Sequence, residues 1–147
     1  MPSLPPILRL IHPLPTLLNA AIAAGLTLVA GGSGAQAALA ALTMIGIHAS
    51  IGALNDLLDE RSDQGRTEKP LASGELHPRT VRTIIAVSAT IGFGAASLLG
   101  KDSLQVAIAG ATLGYLYDAG VKRTWLSFLP FALGVALIPI FAWSAAG

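Results

Sequence analysis

The chain has 147 residues, of which 53% are hydrophobic and 12% charged, with a mean hydropathy of +0.67. An ordinary soluble domain carries about 25% charged residues, so the composition excludes one and points to a membrane. The net charge of +1 carries no signal for nucleic acid, which is not expected as a partner, and the absence of cysteine excludes disulfides and thiol chemistry.

The N-terminus does not read as a cleaved signal. It holds one positive charge, Arg9, among interleaved prolines, and the apolar run continues past signal-peptide length. A spanning helix needs about 20 apolar residues. The first extends from about Leu14 to Val29, with Pro13 and Pro15 at its start and Gly31-Gly32-Ser33-Gly34 ending it. The second extends from about Ala35 to Leu58. The third runs from about Pro78 to Leu99, with Gly100 as its stop and Lys101-Asp102 as the turn. The fourth spans about Ser103 to Tyr117, and Asp118 to Arg123 form the next turn. The fifth runs from about Thr124 into the terminus, with Pro130 and Pro139 as entry or kink points. The expected fold is therefore all-α, a multi-pass transmembrane bundle of about five helices in one domain over residues 1–147. Its Ala and Gly content permits close helix approach, and few large side chains between helices are compatible with a cavity.

Charge is concentrated. Of the 17 charged residues, 11 lie between Asp56 and Arg82, which reads as a functional, water-facing loop. Eight of the nine basic residues fall at one end of the expected bundle: Arg9, Arg61, Arg66, Lys69, Arg79, Arg82, Lys122 and Arg123. Only Lys101 falls at the other. The positive-inside rule places the richer end in the cytoplasm, with the protein in the cell membrane.

The segment Asn55-Asp56-Leu57-Leu58-Asp59-Glu60-Arg61-Ser62-Asp63 closes a run free of Asp, Glu, Lys and Arg that begins at Leu10. Asn55, Asp59 and Asp63 are spaced i, i+4, i+8, a fan of about 80° on a helix, with Asp56 at its edge. Oxygen ligands on one stripe repel one another, and the partially negative helix end adds to the repulsion. Mg²⁺ relieves both, and it takes one or two protein carboxylates while leaving sites for water and phosphate oxygens. Arg66 and Lys69 follow within a few residues. Carboxylates beside fixed cations suit a phosphate ester bound with Mg²⁺. The plain alternative is a solvated loop with surface ion pairs, worth roughly 0–1 kcal/mol each.

Asn-Asp-x-x-Asp-x-x-x-Asp at Asn55, Asp56, Asp59 and Asp63, followed by Lys69-Pro70-Leu71-Ala72-Ser73-Gly74, resembles the first aspartate-rich motif of the UbiA-type intramembrane prenyltransferases. Lys69 stands where Arg is more usual in that family. The stretch Tyr117…Lys122-Arg123-Thr124 and the element Leu129-Pro130-Phe131 also match, so the resemblance covers nearly the whole chain. It implies Mg²⁺-dependent transfer of a prenyl group from a polyprenyl diphosphate to an aromatic or other lipophilic acceptor, through an allylic cation, with diphosphate release. By resemblance, Asn55, Asp59 and Asp63 hold Mg²⁺ and diphosphate, supported by Asp56. Arg66, Lys69, Lys122 and Arg123 neutralise the departing diphosphate, and Tyr117 belongs to the substrate site. Family members carry a second acidic motif in a bundle of about nine helices. Beyond the Asp56–Arg82 loop the only acids here are Asp102 and Asp118, so the chain reads as the N-terminal part of such an enzyme, inactive alone.

Some residues stay open. His48 lies two turns before Asn55 and either faces a cavity or, more simply, bonds a neighbouring helix. Tyr115 and Tyr117 either offer ring faces to a carbocation or join Trp125 in an interfacial belt, with Trp143 in the opposite one. His12 and His77 read as interfacial, and Asn19 fits a cavity or an interhelical bond. Two rival functions are another membrane phosphate-ester transferase, which would show a different Asp/Gly pattern, and a scaffold or transporter segment. A transporter would show paired Gly/Pro-interrupted helices related by a repeat, and no repeat is visible.

Overall fold

Among residues 4–147, which a computed structural model describes, six α-helices and one 3₁₀ turn form a bundle. They are α1 (Pro6–Leu10), α2 (Pro13–Val29), α3 (Gly34–Leu58), α4 (Pro78–Leu98), α5 (Lys101–Ala119) and α6 (Phe128–Ala146), with the 3₁₀ turn at Val121–Arg123. Proline opens α1, α2 and α4, where its missing N–H costs nothing and its fixed φ suits the helix. Ser33 starts α3 with a reciprocal cap: its hydroxyl accepts from the Gln36 N–H at 3.2 Å, and its own N–H donates to the Gln36 side chain at 2.7 Å.

The spans agree with expectation except at three ends. The turn before α5 is made by Gly100 at φ +113°, so Lys101 and Asp102 belong to the helix, where Asp102 complements the positive N-terminal dipole. At its other end α5 continues to Ala119, which puts Asp118 on the helix rather than in the turn. The last helix begins at Phe128 instead of near Thr124, because the 3₁₀ turn and an extended Thr124 intervene. Pro130 then sits in the first turn of α6, where it removes no helical hydrogen bond, and Pro139 lies inside the helix. The short α1 was not expected from the sequence.

Helices α3, α4 and α6 are long and apolar enough to cross a membrane, and α2 is a shorter apolar helix. The chain is an integral membrane protein. Large apolar side chains such as Leu14, Leu28, Leu98 and Leu133 stay exposed on its outside, where lipid replaces water. Trp125 and Trp143 are exposed at opposite ends of the last span, as interfacial anchors are.

Helix α3 is the axis of the bundle, packed against α1, α2, α4, α5 and α6. It crosses α4 at Gly46 and Gly92, backbone against backbone. A Cβ on Gly46 would stand 2.5 Å from the Gly92 nitrogen and 2.6 Å from the Ser88 carbonyl oxygen. The core is built from Ala20, Ala40, Ile47, Ala107, Ile138 and Phe141. Small residues there bring the backbones together, so dispersion replaces the hydrophobic drive that lipid cannot supply.

A second apolar cluster, Leu10, Ala53, Leu71 and Val81, lies at the charged end. It fastens α1 and the 59–77 loop to α3 and α4. Arg9 adds polar ties, donating to the Thr67 carbonyl at 3.2 Å and pairing with Glu75 at 2.5 Å. The loop is thus held in place. The α2–α3 turn gathers at the other end, where the Gln36 amide donates to the Ala146 carbonyl at 3.2 Å. We expect cysteines at Gln64 and Thr124 to be labelled by a membrane-impermeant thiol reagent from one side only, the cytoplasm, and cysteines at Gly34 and Lys101 from the other. Labelling of Gln64 and Gly34 from the same side would contradict this arrangement.

Candidate functional site

Helix α3 stops at Leu58. The Asp59 N–H still bonds to the Asn55 carbonyl at 3.0 Å, and the Asp63 N–H to that of Asp59 at 2.8 Å, but by then the chain has left the helix as a turn. This corrects the single-stripe geometry. Asn55 and Asp59 share the helix end, whereas Asp63 sits in the loop.

The acids are separated into two groups, each gathered around a lysine. In the first, the Lys122 ammonium lies 2.5 Å from Asp59 Oδ2, 2.7 Å from Asn55 Oδ1 and 3.8 Å from Asp118 Oδ1. Arg123 adds a contact of 3.0 Å to Asp59 Oδ1. In the second, the Lys69 ammonium lies 2.6 Å from Asp56 Oδ1 and 3.9 Å from Asp63 Oδ2. Arg66 donates to Asp63 Oδ1 at 3.0 Å and to Glu68 at 2.7 Å. Lys69 is fixed by its neighbours, since Pro70 and Leu71 are buried. Asp56, expected at the edge of the site, is only 2% exposed.

Burial alone would raise the Asp59 carboxyl, but hydrogen bonds and charge from Lys122, then Arg123, outweigh it and hold the group below the ordinary carboxylate range. A carboxylate depressed on folding adds stability above its unfolded pKa of about 4, and this is lost as pH falls through the lower folded value.

Two residues of this site escaped the sequence reading. His12, expected at the interface, turns inward. Its backbone is left-handed, φ +49° and ψ +68°, and its Nε2 lies 3.2 Å from Asp56 Oδ1. The ring lies over Gly52, where a Cβ would come within 2.9 Å of it. The signal was Gly52-x-x-x-Asp56: a glycine one turn before an acid leaves room for a ring to reach it. Asp118 is the other, one helical turn before Lys122 and 5% exposed.

A cavity of about 380 Å³ lies between α2, α3, α5 and α6. Its walls are apolar, Met44, Ile51, Val106 and Phe141 among them, and it also meets Asn19, His48 and Tyr117. Ile51 is one turn from Asn55, and Tyr117 adjoins Asp118, so the cavity borders the ionic end. His48 and Asn19 make no side-chain hydrogen bond among the described residues, and both face the cavity. The interhelical bond is made by Tyr115 instead, 2.7 Å from the Ser50 hydroxyl. Tyr115 thus leaves the interfacial belt, and Tyr117 keeps its place beside the site. His77 stays at the surface as the N-cap of α4, accepting from the Arg79 N–H at 3.1 Å.

The donors at this end are hard oxygens. Asp56 Oδ2 and Asp118 Oδ2 are buried with no hydrogen-bond partner among the described residues. A buried carboxylate oxygen with no donor is costly, and a hard cation is the ligand such oxygens fit. Among the described residues no three Asp, Glu or His side chains cluster closely enough to hold a metal by themselves. The oxygens gathered there include the amide oxygen of Asn55, 2.7 Å from the Lys122 ammonium.

The sequence model of the UbiA prenyltransferase family matches residues 14–147. A digeranylgeranylglyceryl phosphate synthase of Methanopyrus kandleri is 32% identical over 73 residues, 49% of this chain and 27% of that protein. A structure of digeranylgeranylglyceryl phosphate synthase in membranes superposes over 100% of this chain and 55% of its own, with TM-score 0.88 and 18% identity. A UbiA homologue from Archaeoglobus fulgidus bound to DMAPP and Mg²⁺ covers 97% of this chain and 53% of its own, with TM-score 0.74 and 20% identity. The chain thus spans about half the length of these solved structures, and they share its helical fold. With the family model covering nearly the whole sequence, the chain belongs to the UbiA prenyltransferase family.

Proposed function

We propose that the chain binds a polyprenyl diphosphate with Mg²⁺ and serves transfer of its prenyl group to an aromatic or other lipophilic acceptor. The observation that carries this reading is the junction of a cation- and carboxylate-rich end with an apolar cavity. That is the shape of a ligand with a charged head and a hydrocarbon tail. An Archaeoglobus fulgidus homologue bound to DMAPP or GPP with Mg²⁺ supports it.

Asn55, Asp59 and Asp63 would hold the metal, which when bound neutralises charge on the leaving diphosphate, worth several kcal/mol. Lys69 faces Asp63 and Lys122 faces Asn55 and Asp59 as cations, with Arg66 and Arg123 outside them. Asp56 orients Lys69 and His12. In the transfer the prenyl C1–O bond breaks and diphosphate leaves with the electron pair. The acceptor then bonds to C1 and loses a proton. The apolar walls keep water from the allylic cation meanwhile. Tyr117 stands at the boundary of head and tail, and the site faces the cytoplasm.

The test is binding by the chain in lipid nanodiscs. Geranyl diphosphate should bind with Mg²⁺, lose most of its affinity in EDTA, and outcompete both geraniol and inorganic diphosphate. Equal binding of geraniol, or indifference to EDTA, would overturn the reading.

A further inference from the structure

Lys122 occupies an unusual position. Its ammonium touches Asp59 Oδ2 at 2.5 Å and Asn55 Oδ1 at 2.7 Å, with Asp118 Oδ1 at 3.8 Å. Three oxygens from the end of α3 and the end of α5 thus converge on one cationic nitrogen. The ammonium can satisfy the first two. At 3.8 Å it does not hydrogen-bond the third. Asp118 is left 95% buried by its 5% exposure, and its Oδ2 has no partner among the described residues. A carboxylate so placed is under-served by a single positive charge that is already shared with Asp59. A divalent ion can accept all three oxygens at once, since it takes several oxygen ligands where an ammonium has three directed hydrogens.

We propose that Asp118 is a further ligand of the divalent-cation site with Asn55 and Asp59, and that the Lys122 ammonium is the resident counter-ion which the metal displaces. This rests on the metal-binding reading above and assigns to it a residue outside the aspartate-rich segment. Lys122 reaches the site from a short 3₁₀ turn, so side-chain rotation alone can withdraw it. Once displaced it remains a cation at the edge of the site, where the diphosphate arrives. The lysine then serves two states in turn, holding the acids together without metal and meeting the anion with it.

The experiment uses the full chain in nanodiscs and Mn²⁺ as the probe, with free Mn²⁺ read by electron paramagnetic resonance. Asp118→Asn should weaken Mn²⁺ binding about tenfold, the loss of a charged ligand worth about 1.4 kcal/mol, whereas Glu60→Gln should change it less than about twofold. Lys122→Gln should tighten binding, as removal of a competitor does. A second measurement needs no variant. The rate at which an amine-acylating reagent modifies Lys122 in the wild-type chain, read by mass spectrometry, should rise several-fold at saturating Mg²⁺. Wild-type binding that survives Asp118→Asn, or Lys122 acylation that Mg²⁺ leaves unchanged or slows, would overturn the proposal while leaving the metal reading standing. Absence of Mn²⁺ binding by the wild-type chain would overturn both.

Discussion

Asp59→Asn should weaken Mg²⁺-dependent binding of geranyl diphosphate by at least tenfold. Asp59 is the C-cap of α3, and its carboxylate meets Lys122 at 2.5 Å and Arg123 at 3.0 Å. Asparagine keeps the shape and one acceptor oxygen but removes the charge that attracts the metal and fixes both cations. Hydrogen bonds to charged groups are worth about 1.5–3 kcal/mol, which is roughly 10- to 150-fold in affinity. Asp63→Asn should act similarly through Lys69 and Arg66. Glu60 joins none of the ion pairs formed by its acidic neighbours among the described residues, so Glu60→Gln should stay within about twofold of wild type. Calorimetric titration of the three variants in nanodiscs decides the matter, and an equal loss at Glu60 and Asp59 would count against the site.

Gly46→Ala is expected to produce the largest loss of stability of any single methyl group added to this chain. Its new Cβ would lie 2.5 Å from one backbone atom of α4 and 2.6 Å from two others. Backbone cannot rotate away as a side-chain tip does, so the two helices must separate and give up contacts along their length. Overpacking of this kind costs about 1–3 kcal/mol, or a fall of roughly 4–8 °C in Tm for a cost near 2 kcal/mol in a chain of this size. Gly25→Ala is the control, because a Cβ there meets nothing within 4 Å. Thermal unfolding in one detergent should separate the two variants, and matching midpoints would show that the Gly46–Gly92 crossing is looser than described.

The order of the spans was legible because proline and glycine mark their ends and charge avoids their middles. The aspartate-rich segment was legible because six charged or amide side chains, Asn55 to Asp63, break a long apolar run at one point. What the sequence could not supply was the partner of each acid. Lys122 pairs with Asp59 across 63 residues and with Asn55 across 67, and periodicity says nothing about such distances. The end of α3 at Leu58 matches the expected span, and what fails is the i, i+4, i+8 stripe carried past it to Asp63. No glycine or proline stands between Leu58 and Gly65 to mark a stop, so the spacing alone reads as helical to Asp63, whereas the loop is set by Lys69, Arg66 and the buried Leu71. His12 was missed because a left-handed backbone at a non-glycine residue leaves no mark in sequence. His48 and Tyr115 exchanged the expected roles of bonded and free polar group, since their angular positions on α3 and α5 do not reveal which of them meets a hydroxyl. Ser50, two residues from His48, supplied it.

The central claim places the diphosphate at the Lys69–Lys122 end and the hydrocarbon tail in the cavity between α2, α3, α5 and α6. Its most direct test is photolabelling of the chain in nanodiscs by a prenyl diphosphate with a photoreactive group at the tail end, followed by mapping of the modified residues. The account predicts modification of cavity residues such as Met44, Val106 and Phe141 that requires Mg²⁺ and is blocked by excess geranyl diphosphate. Modification confined to exposed residues outside the cavity such as Leu28 and Leu98, or insensitive to Mg²⁺ and to competitor, would contradict it.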